Sequence, residues 1–189
     1  MKRILFVGGV IAVAAVMLSC AGFPEPAGDG NSLVVGSFVL DFPDGFFDTP
    51  PKKFDMNVQL SFRNSTKNSR FDIYTNRGYF HFQTNGTDEY VLEDFQLLKT
   101  KIGNTMYNFP GAKIDMKIAN SPNKVIYLGH VIFTYSAPTA ASRKGKSTYY
   151  DYETDVSVDW DKSLLRQYIE QKNPGSAWLA CEIIEYGKR

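Results

Sequence analysis

Asp151, Glu153, Asp155, Asp159 and Asp161 share the odd-numbered positions of one short stretch. In an extended chain that spacing sets carboxylates along one face. Two carboxyl groups facing each other across a cleft hydrolyse glycosidic bonds, and a cluster with a loop glycine and a bidentate Glu holds calcium. The stretch has no glycine followed by a Glu at the bidentate position, and like charges in a row suit the solvated edge of a sheet. The only two imidazoles, His81 and His130, have no Cys or Glu at ligand spacing, so no metal is expected. His81 lies between Phe80 and Phe82 and is expected to point away from the face they share. Arg143, Lys144 and Lys146 stand beside Tyr149 and Tyr150, a basic, aromatic segment suited to anionic headgroups, sulfated glycans or a partner protein. With Phe46 and Phe47 these are the candidate contact residues. No Gly-x-Ser-x-Gly elbow, phosphate loop or dinucleotide fingerprint occurs, and no catalytic residue is assigned.

The remaining reactive groups are two thiols. Cys181 lies in Trp178-Leu179-Ala180-Cys181-Glu182-Ile183 and reads as a small buried hydrophobe. Cys20 closes a different kind of segment. Met1-Lys2-Arg3 is a positive head, Ile4 to Leu18 is an uncharged apolar run, and Ser19 and Cys20 follow. The run is shorter than the roughly 20 residues a spanning helix needs and has the build of a secretory signal. Met17-Leu18-Ser19-Cys20 resembles the lipobox of bacterial lipoproteins, with Met17 and Leu18 where that family prefers Leu and a small residue. The resemblance implies that the chain is cut before Cys20 and that the thiol carries diacylglycerol, the only cofactor-like group expected. It implies a place in the bacterial cell envelope, facing periplasm or cell surface. Ala21 lacks the acidic signal that holds enteric lipoproteins in the inner membrane, which favours the outer one.

Three segments follow: a signal over residues 1–19, a lipidated cysteine and flexible tether over 20–32, and one domain over 33–189. The tether assignment rests on Gly and Pro in Ala21 to Asn31. Without Lys2 and Arg3, 19 basic residues face 20 acidic ones, which excludes a nucleic-acid binder that works by phosphate neutralisation. Fourteen Phe and eleven Tyr suit pleated, half-buried surfaces.

Periodicity places strands over 33–41, 54–62, 70–75, 78–83, 89–98, 113–118, 124–135, 148–160 and 177–186. The clearest is Phe54-Asp55-Met56-Asn57-Val58-Gln59-Leu60-Ser61-Phe62, apolar at every second position. Asn85-Gly86 signals a hairpin, Gly129 a bulge or a close backbone approach, and Ala137 to Lys146 a polar loop. One helix is expected, capped by Asp161, with Leu164, Leu165, Tyr168 and Ile169 on one stripe and Asn173-Pro174-Gly175 as its stop. The pattern predicts a mainly β fold: a two-sheet antiparallel β-sandwich with one C-terminal helix behind a cleaved signal.

Val34-Val35-Gly36, Met56 to Phe62, Ile73-Tyr74-Thr75-Asn76-Arg77-Gly78-Tyr79-Phe80-His81-Phe82 and Glu89-Tyr90-Val91-Leu92 together resemble the transthyretin-like, carboxypeptidase-regulatory-like β-sandwich. The resemblance covers roughly residues 33–98 and, more loosely, 113–135. It implies an immunoglobulin-like two-sheet fold and an accessory, adhesive or carbohydrate-associated module without enzyme activity. The expectation for function is a non-enzymatic envelope lipoprotein, held to a membrane by its lipid, that binds or scaffolds an envelope protein or glycan. A glycan-acting hydrolase using the Asp151–Asp161 carboxylates and a carrier of a hydrophobic ligand inside the sandwich are the alternatives.

Overall fold

The computed structural model describes residues 23–26, 30–41, 53–54, 58–97, 100–102, 105–107, 112–136, 140–144, 147–151 and 154–187. Its strands are β1 (Leu33–Asp41), β2 (Lys53–Phe54), β3 (Val58–Asn64), β4 (Ser69–Tyr74), β5 (Tyr79–Gln83), β6 (Tyr90–Leu97), β7 (Thr100–Ile102), β8 (Thr105–Tyr107), β9 (Ala112–Ile118), β10 (Val125–Tyr135), β11 (Ala140–Lys144), β12 (Ser147–Asp151), β13 (Thr154–Asp159) and β14 (Ile183–Glu185). One α-helix, α1 (Lys162–Lys172), and a 3-10 turn, Ala177–Ala180, precede β14.

The protein is mainly β, and two sheets face each other as a sandwich, as the sequence predicts. The first sheet has the order β13-β10-β1-β2, with β5 sharing a flank of β1 and β14 sharing a flank of β10. The second sheet is β4-β3-β6-β9, all antiparallel. The first sheet is mixed, because β1 and β10 run parallel and β14 is parallel to β10. The antiparallel expectation therefore holds for one sheet and fails at the centre of the other. The reason is burial on both faces. From Leu33 to Leu40 every residue of β1 is buried, the continuous pattern of a strand covered above and below.

The cover differs on the two sides. Between the sheets, Val34, Phe38 and Leu40 of β1 and Ile126, Leu128 and Phe133 of β10 meet Leu60, Phe62, Leu92, Phe95 and Ile118. On the other side, Leu33, Val35, Val125 and Tyr127 pack under Leu165, Tyr168, Ile169 and Trp178. Gly129 makes this two-sided strand consistent. At φ +84 it forms a bulge, with Val35 opposite Tyr127 but Ser37 opposite His130. Even-numbered residues of β10 face the second sheet before the bulge, and odd-numbered ones after it. A Cβ on Gly129 would lie 2.3 Å from Val158 Cγ1.

Two motifs of the sequence meet here. Gly36 lies opposite Phe80, whose ring occupies the space a Cβ on Gly36 would need, with Phe80 Cε1 2.7 Å from that position. Gly78, at φ +80, turns the chain into β5, and Thr75 Oγ1 accepts from Val58 N at 2.7 Å.

Five local expectations are corrected. The strand expected over 54–62 does not stay in one sheet: Phe54 belongs to β2, paired with β1 in the first sheet, and Val58 opens β3 of the second. Asn85-Gly86 does not close a hairpin: β5 pairs with β1 and β6 with β3 and β9, so this turn carries the chain from one sheet to the other. Residues 140–144 form a strand paired with β12, where a loop was expected. The strand expected over 148–160 is divided into β12 and β13. The strand expected over 177–186 shrinks to β14, because Ser176 caps a 3-10 turn, accepting from Trp178 N. The helix agrees with its sequence signals. Asp161 Oδ1 accepts from Ser163 N at 2.7 Å, and Asn173 N donates to Ile169 O at 2.8 Å.

Candidate functional site

The helix-covered face of the first sheet gathers both imidazoles. One row crosses four strands: Tyr79 on β5 lies opposite Ser37 on β1, Ser37 opposite His130 on β10, and His130 opposite Asp159 on β13. Ser37 Oγ hydrogen-bonds His130 Nδ1. His81, two residues along β5 from Tyr79, points to this face while Phe80 and Phe82 point into the sandwich, as expected from alternation. Its Nδ1 shares a hydrogen bond with Tyr168 Oη at 2.8 Å. Tyr168 in turn stacks on Tyr79, centroids 4.4 Å apart, and Lys172 Nζ lies 5.8 Å from the Tyr168 ring centre. Burial, reinforced by the Lys172 ammonium, lowers His81 to about 4, so its ring is neutral at pH 7. Burial raises the Tyr168 phenol, and Tyr79 adds to the effect.

Over this cluster lies a segment expected to be a solvated tether. Phe23 packs its ring 4.6 Å from His81 and edge-on to Tyr168. Pro24 O accepts from the buried Trp178 indole at 2.7 Å. Glu25 is held at three points: its carboxylate accepts from Asn173 Nδ2 and from Ala177 N, the latter at 3.0 Å, and its carbonyl accepts from Gln83 Nε2 at 3.0 Å. Further on, Ser32 N donates to Thr84 Oγ1 at 2.8 Å, Asn120 Nδ2 to Gly30 O at 3.0 Å, and Gly86 N to Asn31 Oδ1 at 3.0 Å. The described residues of 20–32 are therefore docked, and Phe23–Pro26 forms a strap across β5, α1 and the 3-10 turn. The sequence signal for this was Phe23 itself, an aromatic in a Gly/Pro-rich stretch. Pro24 and Pro26 lower the chain entropy lost on docking.

The cluster's chemistry is mutual restraint. A hydroxyl beside an imidazole is the pair a nucleophilic enzyme uses, but Ser37 is only 1 % exposed. Asp159 Oδ1 accepts from Asp161 N at 3.0 Å, and Asp161 caps α1. The described carboxylates of the row are Asp155, Asp159 and Asp161, and none is buried: Asp155 and Asp159 are exposed along the edge strand β13, and Asp161 is exposed at the start of α1. Asp88 is a carboxylate built into the fold instead. Lys67 Nζ and Asn64 Nδ2 donate to it at 2.7 and 2.8 Å and hold it below the usual range.

Of the candidate contact residues, Arg143 and Lys144 lie on β11 and Tyr149 and Tyr150 on its partner β12, with Ala141 opposite Tyr150 and Ser142 opposite Tyr149; the register divides the four between the two faces of the pair. Cys20, Phe46, Phe47 and Lys146 lie outside the described residues, as does Glu153. Cys181 is half-buried against the helix-side core rather than fully buried. A shallow groove on the outside of α1 is lined by Arg166, Gln167, Glu170, Gln171, Pro174 and Leu179. Among the described residues no three His, Cys, Asp or Glu side chains stand where they could share a metal ion, and no helix is long and apolar enough to cross a membrane.

Compared with family models, curated proteins and solved structures, the chain matches none.

Proposed function

We propose that this chain is a membrane-anchored lipoprotein of the bacterial cell envelope, its β-sandwich a non-enzymatic module that binds or scaffolds another envelope component. The observation that carries the reading is the order of segments: a basic head, an uncharged apolar run over 4–18, Cys20, and, three residues later, Phe23 packed on the domain. The acyl chains on Cys20 act as the anchor, since each buried methylene contributes about 0.8 kcal/mol and several chains hold a domain stably. The β11–β12 strand pair is the element assigned to the partner, because it carries Arg143 and Lys144 on one strand and Tyr149 and Tyr150 on the other. The relation to transthyretin-like modules belongs to this proposal and is supported by the Gly36–Phe80 contact, which joins two of its motifs.

Metabolic labelling with an alkyne palmitate analogue, comparing the natural chain with Cys20→Ala, tests the anchor. Label on the natural chain alone is the expected result. Equal labelling of both, or a processed chain whose Cys20 thiol is bare by mass spectrometry, refutes it.

A further inference from the structure

We infer that the docked strap fixes the orientation of the domain at the membrane, with the C-terminal half of α1 and the β5 edge turned toward the bilayer. The inference rests on the anchor reading above and adds a direction to it. Only Ala21 and Gly22 separate Cys20 from Phe23. Three peptide units reach at most about 11 Å whatever their conformation. The lipid-bearing residue is therefore confined to the neighbourhood of Phe23, and Phe23 sits against His81 of β5 and Tyr168 of α1. A tether of a dozen free residues would let the domain tumble. This one is shortened because Pro24 and Glu25 are bonded to Trp178, Ala177, Asn173 and Gln83.

The occupant of this face is a phospholipid surface. Gln171 and Lys172 are exposed on α1 one turn beyond Tyr168, and the Lys172 ammonium lies over the ring that Phe23 touches. That places a cation beside the entry of the anchored segment, at headgroup level. The outer face of the second sheet lies two layers away, each about 10 Å thick, and carries polar pairs such as Gln59–Asp72 and Arg63–Glu93. It is turned to the aqueous side.

The test uses the full lipidated chain in vesicles of phosphatidylethanolamine and phosphatidylglycerol. In a Cys181→Ser background, a fluorophore is placed at Gln171→Cys or at Lys117→Cys, an exposed position on β9, and quenching by brominated lipid is measured. Quenching several-fold stronger at Gln171 than at Lys117 is expected. Releasing the strap with Phe23→Ser and Glu25→Ala is expected to bring the two sites toward equality while the chain still floats with the vesicles. Equal quenching at both sites in the natural strap, with flotation intact, overturns the orientation and leaves the anchor standing. A chain that does not float with vesicles overturns the anchor and the orientation with it.

Discussion

The two faces of the central sheet are made by the same strands and hold by different means. Toward the second sheet, Phe38 stacks on Phe133 at 5.8 Å and Phe62 meets Phe71, Phe80 and Phe82 within 6.0 Å. These contacts are ring against ring and need no hydrogen-bond partner. Toward the helix, the same sheet presents Ser37, His81 and His130 among the apolar side chains, and each hydrogen-bonds a specific neighbour. The difference teaches where this protein is sensitive. A dispersive core loses stability with volume, at any pH. A polar layer loses it when a proton is added or a single partner is removed.

The largest effect is expected on the apolar face. Phe62→Ala removes a ring with no solvent exposure from the centre of the Phe cluster and is expected to cost about 3–5 kcal/mol in urea unfolding, independent of pH. A loss below about 1 kcal/mol would mean the sheets are not closely packed.

The helix face is next. His81 is held near 4 in the folded chain against 6.5 unfolded, so the unfolded chain binds the extra proton. Stability therefore falls as pH drops from about 6.5 to about 4 and is flat for this group below that, by a total of the order of 3 kcal/mol. His81→Gln should flatten this window. Asp88 and Glu93 are held low by Lys67 and Arg63, so their stabilisation is lost only at more acid pH, below the ordinary carboxylate range. The two windows are separable in a pH series of thermal melts, and an unchanged profile in the His81 variant would remove the polar layer from the account.

Gly129→Ala probes the joint between the faces. Its positive φ and the Val158 contact make a Cβ strained, and a cost of about 2 kcal/mol is expected, with disturbance of the Val131–Val158 pairing visible by amide exchange. Smaller still, Tyr168→Phe should cost about 1 kcal/mol by leaving His81 Nδ1 unpaired, and Asp161→Ala about 1 kcal/mol through the lost cap.

The parts legible in the sequence are those whose cause is local. Alternation at Val58, Leu60 and Phe62 gives a half-buried strand wherever it is placed. Asp161 caps α1 because the free amides of the first turn lie within reach of any acidic side chain there. Gly129 was readable as a bulge or a close backbone approach, because a lone glycine in an apolar strand has few other uses, and the register shift shows the bulge. The candidate site was not legible for the opposite reason. Phe23, His81 and Tyr168 are far apart along the chain, and no local spacing announces their contact.

From its sequence alone this protein was bound to be mainly β with one capped helix, since period, turn chemistry and capping act over a few residues. Tertiary structure decided the rest. It set β1 beside β10 in parallel, sent the Asn85-Gly86 turn between sheets instead of into a hairpin, and laid Phe23–Pro26 on the helix layer. Those outcomes depend on which distant surfaces bury the most apolar area and satisfy the most backbone groups, a competition that only the assembled molecule resolves.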